Sequence, residues 1–197
     1  MFAPPAATAL PPALQAARDD LARIVAARDL AALRRHVRED TTLSFGGDHG
    51  TQGFDDLWTR DPADTRRLWE ELDAILALPG VARDEDGRQD YCAPYVFCLP
   101  YDASIDVFDA QVVLEADAAI RDRPDPAGRV LARVSHAVLT GMDDAMAPGA
   151  AWVRVRTAAG VEGYIARHQV RSPIDYRLSI VGDGAGGWGL RYFVAGD

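Results

Sequence analysis

The chain has 197 residues, enough to bury one larger domain or two small ones. Its formal net charge is −9, and all 21 basic residues are arginine. This charge argues against nucleic acid and anionic lipid as partners, because affinity for phosphate groups depends on basic side chains. The absence of lysine excludes Schiff-base chemistry and the lysine of a phosphate-binding loop. No apolar run approaches the roughly 18 residues of a membrane helix, so the sequence predicts no transmembrane segment.

The first segment, residues 1–12, is rich in proline and alanine, and we expect it to be disordered or extended. It lacks the basic and apolar regions of a secretory signal, so the sequence as it stands predicts a cytoplasmic protein. A lead of this composition is also what remains when a signal peptide has been removed. In that case the protein is periplasmic or secreted, and both locations stay open.

The region that follows has mainly helical patterns. Residues 13–37 repeat apolar side chains at helical spacing, and Asp29 suits the N-cap of a second helix after a break. A short strand is predicted over residues 41–45 and ends in a glycine turn. A further helix begins at Pro62, because proline is favoured in the first turn, and it stops before Gly80.

We interpret residues 13–105 as a mainly helical N-terminal domain. Within it, residues 83–89 are predicted as a charged loop and residues 91–99 as an aromatic strand or an extended connector. The helix–helix–strand stretch over residues 27–45 resembles the start of the cystatin-like cone folds of the nuclear-transport-factor type. That resemblance carries no functional expectation, and no strand pattern for such a cone is evident between residues 54 and 79.

The two cysteines, Cys92 and Cys98, leave two interpretations open. A disulfide can form if Pro94 turns the chain, and it would indicate an oxidising compartment. Alternatively, the two are free buried thiols on one face of a strand, since even spacing in a strand places side chains on the same face. The spacing does not match a zinc site and there is no second cysteine pair, so we expect no metal and no cofactor.

The second half of the chain is rich in strand patterns, and residues 110–172 contain six of them. A long insert at residues 143–150 separates the fourth strand from the fifth. Residues 173–197 contain two alternating runs around a glycine-rich turn, which predicts a terminal β-hairpin. This hairpin either extends the preceding strands or pairs back with the N-terminal domain. The six predicted strands are residues 110–116, 119–122, 130–135, 137–142, 152–157 and 161–165.

Four motifs occur in a fixed order within residues 110–172: Ala-Ala-Ile-Arg-Asp-Arg-Pro, Gly-Arg-Val-Leu, Trp-Val-Arg-Val and Gly-Val-Glu-Gly-Tyr-Ile. Together they resemble the bacterial SH3 domain, whose pattern is L-N-V-R-x-x-P, G-x-V, W-x-x-V and G-x-x-G-Y-V. Two features depart from that pattern. Ala118 and Ala119 stand where the family has Leu and Asn, and Arg123 replaces a common Gly.

The expected fold is therefore α+β, with a small helical N-terminal domain, an SH3-like β-barrel and a C-terminal β-hairpin. The resemblance implies docking to cell-wall peptide, glycan or a partner protein in the bacterial envelope. It also implies that Arg121, Trp152 and Tyr164 line the binding groove. The alternative is that Trp152 and Tyr164 fill the small core while Arg121 bridges loops to a carboxylate.

No catalytic residue is predicted, and non-enzymatic binding is the expected function. The rival hypothesis is a hydrolase with a site at the domain junction, using His49, Asp48 and Cys92. Against it, Cys92 has neither a helix start nor a basic neighbour that would activate its thiol. A glycine turn with a solvent-exposed His49 is the simpler interpretation of that segment. Nothing in the sequence indicates an oligomeric state.

Overall fold

The computed structural model describes residues 2–5, 10–85, 88–142, 149–182 and 187–196. Within these residues the chain forms five α-helices and twelve β-strands in two sheets, which confirms the α+β class. The chain divides into two compact units. We call Pro5–Cys98 with Asp175–Asp197 the helix–sheet unit, and Leu99–Ile174 with Met1–Pro4 the strand unit.

Two aspartates cap the starts of helices that the sequence predicts. The side chain of Asp29 accepts a hydrogen bond from the Ala32 amide at 2.8 Å, and Asp61 caps the amides of Ala63 and Asp64. No helix within the described ranges is both long and apolar enough to cross a membrane. The helices are α1 (Pro12–Ala27), α2 (Leu30–Arg34), α3 (Gly50–Trp58), α4 (Pro62–Leu76) and α5 (Tyr95–Cys98).

The twelve strands of the described residues lie in both halves of the chain, including the part expected to be helical. They are β1 (Val37–Thr42), β2 (Val81–Glu85), β3 (Arg88–Ala93), β4 (Ala110–Val113), β5 (Ala118–Arg121), β6 (Val130–Val134), β7 (Val138–Gly141), β8 (Trp152–Arg156), β9 (Glu162–Ala166), β10 (Val170–Arg171), β11 (Arg177–Gly182) and β12 (Trp188–Val194).

The helix–sheet unit contains a five-stranded sheet in the order β1-β12-β11-β3-β2. Strand β1 runs parallel to β12, and the other neighbours are antiparallel. The predicted terminal hairpin is confirmed as the β11–β12 pair, and it pairs back with β1 and β3. Residues from both ends of the chain therefore build one sheet.

Helices make up most of the regular structure within residues 13–105, but a loop predicted in this region needs correction. Residues 83–89, predicted as a charged loop, fall largely within β2 and β3, although residues 86 and 87 lie outside the described ranges. The charges are compatible with a strand pair because Arg83 lies directly opposite Asp90 and forms an ion pair with it. Residues 91–99 likewise divide into the end of β3 and the short helix α5.

The core of the helix–sheet unit lies between its helices and one face of the sheet, where α1 contacts β11 and β3. Leu178 and Ile180 of β11 are fully buried on this face. Because side chains alternate along a strand, Arg177 and Ser179 belong to the opposite face. Both are also buried, so the second face of the sheet holds polar side chains that water reaches poorly.

The strand unit contains an antiparallel seven-stranded sheet in the order β10-β4-β7-β8-β9-β5-β6. The six strands predicted for this region are confirmed, but the expected closed barrel needs correction. Among the described residues no pairing joins the edge strands β6 and β10, and β6 is exposed along much of its length. Of the insert expected at residues 143–150, residues 143–148 lie outside the described part of the chain.

Candidate ligand-binding surfaces

The residues predicted to bind ligand, Arg121, Trp152 and Tyr164, lie on one face of the seven-stranded sheet. Tyr164 of β9 is directly opposite Arg154 of β8 on one side and Arg121 of β5 on the other. Trp152 lies two residues from Arg154 along β8 and therefore shares its face. We call this surface, formed by Arg121, Trp152, Arg154 and Tyr164, the aromatic face.

The aromatic rings of this face are not part of the core. The core of the strand unit is formed by the alternating neighbours Val153, Val155 and Ile165, whereas Trp152 and Tyr164 are half-buried. The alternative that these two rings fill the core is therefore wrong. Part of each residue remains exposed to solvent.

Arg121 and Arg154 carry guanidinium groups on either side of Tyr164. Arg121 donates a hydrogen bond to the carbonyl of Gly128 at 2.7 Å, and Arg154 donates to the carboxylate of Glu162 at 3.2 Å. Arg121 thus bridges to a loop, as one interpretation of the sequence expected, but its acceptor is a carbonyl and not a carboxylate. The face combines an aromatic ring with donors fixed beside it.

The glycine that precedes Tyr164 in the last motif, Gly163, has a structural reason. A Cβ atom at this position would lie 2.5 Å from the carbonyl oxygen of Arg121 and 2.7 Å from Cγ2 of Ile120. No side chain fits there unless the backbone of β5 moves. The glycine allows β9 to approach β5 closely enough to place Tyr164 opposite Arg121.

A second candidate surface, which sequence reasoning missed, lies in the helix–sheet unit on the sheet face opposite α1. It is a cavity of about 450 Å³, which we call the arginine cavity. Its floor includes Tyr192, which lies opposite Ser179 on β11 and Thr42 on β1. The cavity is lined by Asp40, Thr42, Phe45, Arg83, Phe97, Arg177, Arg191, Tyr192 and Val194.

A buried carboxylate, that of Asp90, organises one side of the arginine cavity. The side chain is only 1% exposed. It accepts hydrogen bonds from Arg83 Nη2 at 2.7 Å and from the Ser179 hydroxyl at 2.6 Å, and Arg191 Nη1 lies 3.9 Å away. A buried charge requires such partners. Asp90 therefore fixes the position of Arg83 and draws Arg191 toward the same oxygen.

Tyr192 completes this cluster. Arg83 Nη2 donates to the Tyr192 hydroxyl at 3.1 Å. Burial raises the pKa of Tyr192 above its usual value, although the nearby charge of Arg83 opposes this effect. The phenol therefore remains a neutral hydroxyl group near neutral pH.

The other side of the cavity is formed by Arg177, which is 5% exposed. Arg177 Nη2 donates to the carbonyl of Gly196 at 2.8 Å. Its guanidinium carbon lies 4.6 Å from the ring centre of Phe97 and 5.5 Å from that of Phe45. These distances are typical of cation–π contacts.

The two cysteines are bonded to each other, so the disulfide is the interpretation that the structure favours. The bond joins Cys92 of β3 to Cys98 at the end of α5. Phe97 is therefore held beside the sheet by a covalent link at the adjacent residue. The sequence left this pairing open because the turn between Cys92 and Cys98 could not be predicted.

The residues of the rival hydrolase hypothesis have other roles. Cys92 has no free thiol in its disulfide. The Asp48 carboxylate accepts a hydrogen bond from the Ser44 hydroxyl at 2.5 Å, whereas exposed His49 faces the carbonyl of Gly47 through Nδ1 at 2.8 Å. Asp48 and His49 therefore each contact a residue of the turn to which they belong, and no contact between the two side chains is seen among these hydrogen bonds. No group of three potential metal ligands occurs among the residues that the structure describes.

The comparisons with known proteins supply no relative. No protein-family model, curated protein or solved structure matches the chain. The function has to be inferred from the geometry of the two surfaces.

Proposed function

We propose that this protein is a non-enzymatic binding protein of the bacterial cell envelope, and that its aromatic face recognises cell-wall peptide or glycan. The observation that carries the proposal is the placement of Arg121, Trp152 and Tyr164. They share one face of the sheet, they are half-buried, and they lie outside the core.

The chemistry of this face suits a peptidoglycan fragment. An aromatic ring packs against the apolar face of a sugar or against an alanine methyl group, and a tyrosine hydroxyl adds a polar contact. An arginine guanidinium matches a peptide carboxylate, with which it can form two parallel hydrogen bonds. Binding at such an open face needs no reactive group, and we expect a Kd of roughly 10 μM to 1 mM.

An SH3-like arrangement of the strand unit is part of the proposal. Its support is the order of the four sequence motifs and their location on antiparallel strands β5, β6, β8 and β9. The packing role of Gly163 adds to this support, since it gives the glycine of the last motif a structural reason.

The proposed envelope location is supported by the bond between Cys92 and Cys98. Disulfides persist in oxidising compartments such as the bacterial periplasm and are rare in the cytoplasm. The proposed ligand is found in the same compartment.

The test is retention of the purified chain on insoluble peptidoglycan, combined with calorimetric titration of a soluble disaccharide–peptide. We expect Trp152→Ala and Tyr164→Ala each to weaken binding at least about tenfold, since stacking on an aromatic ring is lost. Phe108→Ala is the matched control, because Phe108 is an exposed aromatic residue of the same unit outside its strands.

Circular dichroism of each variant separates a binding defect from unfolding. If Trp152→Ala is destabilised, Trp152→Phe keeps a ring and should retain most of the affinity. The proposal fails if the wild-type chain is not retained on peptidoglycan. It also fails if folded Trp152→Ala and Tyr164→Ala variants bind as tightly as the wild type.

A further inference from the structure

We infer that the arginine cavity of the helix–sheet unit is a binding site for a small organic acid, with a carboxylate at one end and a flat apolar body. This site is separate in its residues from the aromatic face, and the inference does not depend on the proposed function. It is carried by the charge, the order, the size and the walls of the cavity.

The arginine cavity carries positive charge although the protein is acidic. The whole chain has a formal charge of −9, yet three guanidinium groups line this cavity beside one carboxylate, that of Asp40. Asp90, which is 1% exposed, pairs with Arg83 and lies 3.9 Å from Arg191, so three guanidinium groups and two carboxylates leave one net positive charge. A cationic cavity on an acidic protein attracts anions locally, because its walls exclude part of the water that would screen the charge.

Two of the three arginines are already held in place by neighbouring groups. Arg83 is held by Asp90 and Tyr192, and Arg177 is held by the carbonyl of Gly196 and by the ring of Phe97. A long side chain that is already fixed loses little conformational freedom when a ligand binds. These two arginines are therefore suited to ligand binding, while Arg191, whose side chain is 44% exposed, can adjust to the ligand.

The positive groups of the cavity also have a shape that suits a carboxylate. Arg83 and Arg191 both approach the same oxygen of Asp90, at 2.7 Å and 3.9 Å, so the two guanidinium groups converge. A planar guanidinium matches the two oxygens of a carboxylate. The convergence favours a ligand carboxylate placed against Arg191.

The size and the apolar walls of the cavity suit an organic ligand. A volume of about 450 Å³ lies in the range of small-molecule sites, and an inorganic anion would leave most of it empty. Phe45, Phe97 and Val194 supply apolar walls. Phe45 is 53% exposed, which leaves one side of its ring open to solvent. A flat apolar body would cover these rings.

The experiment titrates the full-length protein with three aryl carboxylates, namely benzoate, cinnamate and indole-3-acetate, and follows binding by calorimetry. Cinnamamide tests the need for charge, and inorganic phosphate tests the need for an apolar body. We expect at least one carboxylate to bind with a Kd of roughly 10 μM to 1 mM. Cinnamamide should bind at least about tenfold more weakly than cinnamate, because it cannot form the charge-assisted hydrogen bonds.

Two variants locate the site. Arg191→Gln and Phe45→Ala change exposed side chains, and each should weaken binding of the carboxylate about fivefold or more. Arg66→Gln is the matched control, since Arg66 is 71% exposed on α4 and does not line the cavity. Trp152→Ala should leave this binding intact, which distinguishes the cavity from the aromatic face.

Four results would overturn the inference. The first is no saturable binding of any of the three carboxylates at about 5 mM, above the weakest expected Kd. The second is equal affinity for cinnamate and cinnamamide, and the third is phosphate binding as tight as that of the carboxylates. The fourth is unchanged affinity in both Arg191→Gln and Phe45→Ala, which would place the bound acid elsewhere on the protein.

Discussion

The two units place their aromatic residues in opposite ways. In the helix–sheet unit, Trp58 and Phe54 are buried between the helices and the sheet. Among the described residues of the strand unit, the core cluster contains only aliphatic side chains, and Trp152 and Tyr164 lie on the outer face. Large rings therefore stabilise the core between the helices and the sheet in one unit, whereas the core of the strand unit is built without Trp152 and Tyr164.

The charged residues differ in the same way. The helix–sheet unit keeps the carboxylate of Asp90 buried beneath arginines. The ion pairs of the strand unit, such as Arg133 with Asp117 and Arg154 with Glu162, join exposed groups. Exposed pairs of this kind contribute little to stability. The helix–sheet unit therefore offers a recessed polar cavity, and the strand unit offers an open face.

The largest expected effect is on the core of the helix–sheet unit. Leu72→Ala removes a fully buried side chain of α4 and should lower the free energy of unfolding by about 2–5 kcal/mol. Leu139→Ala in the strand unit should fall at the lower end of that range, because a small aliphatic core can collapse around the gap. Urea unfolding followed by circular dichroism measures both changes.

Leu131→Ala is the control for this pair, since Leu131 is 37% exposed on β6 and its loss should cost well under about 1 kcal/mol. A larger loss of unfolding free energy for Leu139→Ala than for Leu72→Ala would contradict the expected difference between the small core of the strand unit and the larger core of the helix–sheet unit.

The next effect concerns the buried charge. Asp90→Asn removes the anion that holds Arg83, and we expect a loss of about 1–3 kcal/mol in the free energy of unfolding. The cost is smaller than for a fully buried pair because the Arg83 side chain is 26% exposed. Glu70→Gln, an exposed carboxylate of α4, is the control and should change stability little. Equal stability of Asp90→Asn and wild type would show that the buried cluster is not structural.

The close approach of two strands in the strand unit is tested by Gly163→Ala. The added methyl group would overlap the backbone of Arg121, and we expect a loss of about 1–3 kcal/mol in unfolding free energy. Gly46→Ala is the control, because the nearest atom to its Cβ would be the Ser44 hydroxyl at an ordinary 3.5 Å. Thermal unfolding of the two variants is the measurement. A neutral Gly163→Ala would contradict the packing role of this glycine.

The smallest effect is on alkaline titration. Burial raises the pKa of Tyr91, Tyr95 and Tyr192 above the usual 10.0, and all three belong to the helix–sheet unit. Their contribution to stability is fully present below pH 10.0 and is lost as the pH rises, because the unfolded chain then releases protons that the folded chain retains. Ultraviolet difference spectra should show delayed ionisation of these tyrosines in the folded protein.

Tyr192→Phe should remove one member of the delayed set without changing the others, and unfolding in urea should abolish the delay. A single transition near 10 for all tyrosines of the folded protein would contradict the burial of these three rings.

The strand unit was more predictable from sequence than the helix–sheet unit. Alternating side chains and short turns mark its strands, and the resemblance carried by the motifs predicted that Arg121, Trp152 and Tyr164 lie on one surface, where the strand register places them. These signals are local, since each strand pairs mostly with neighbours that are near in the chain. No local sequence pattern indicated that the seven-stranded sheet would remain open between its edge strands β6 and β10.

The sheet of the helix–sheet unit and its cavity were hidden from sequence reasoning. Strand β1 pairs with β12, and Arg83 contacts Tyr192, which is 109 residues later in the sequence. Because these partners are far apart in the chain, no local sequence pattern predicts either contact. The charges of β2 and β3 also suggested a loop, although Arg83 and Asp90 neutralise each other across the strands. A usable clue was the alternation of Arg177 and Ser179 with apolar residues in the predicted hairpin.

We propose that the aromatic face holds a cell-wall fragment without transforming it. To test this, the protein is incubated with a purified disaccharide–peptide, the binding isotherm is recorded, and the mass of the recovered ligand is determined. We expect saturable binding that Tyr164→Ala weakens, with the ligand recovered intact. Cleaved ligand, or an isotherm that Tyr164→Ala leaves unchanged, would contradict it.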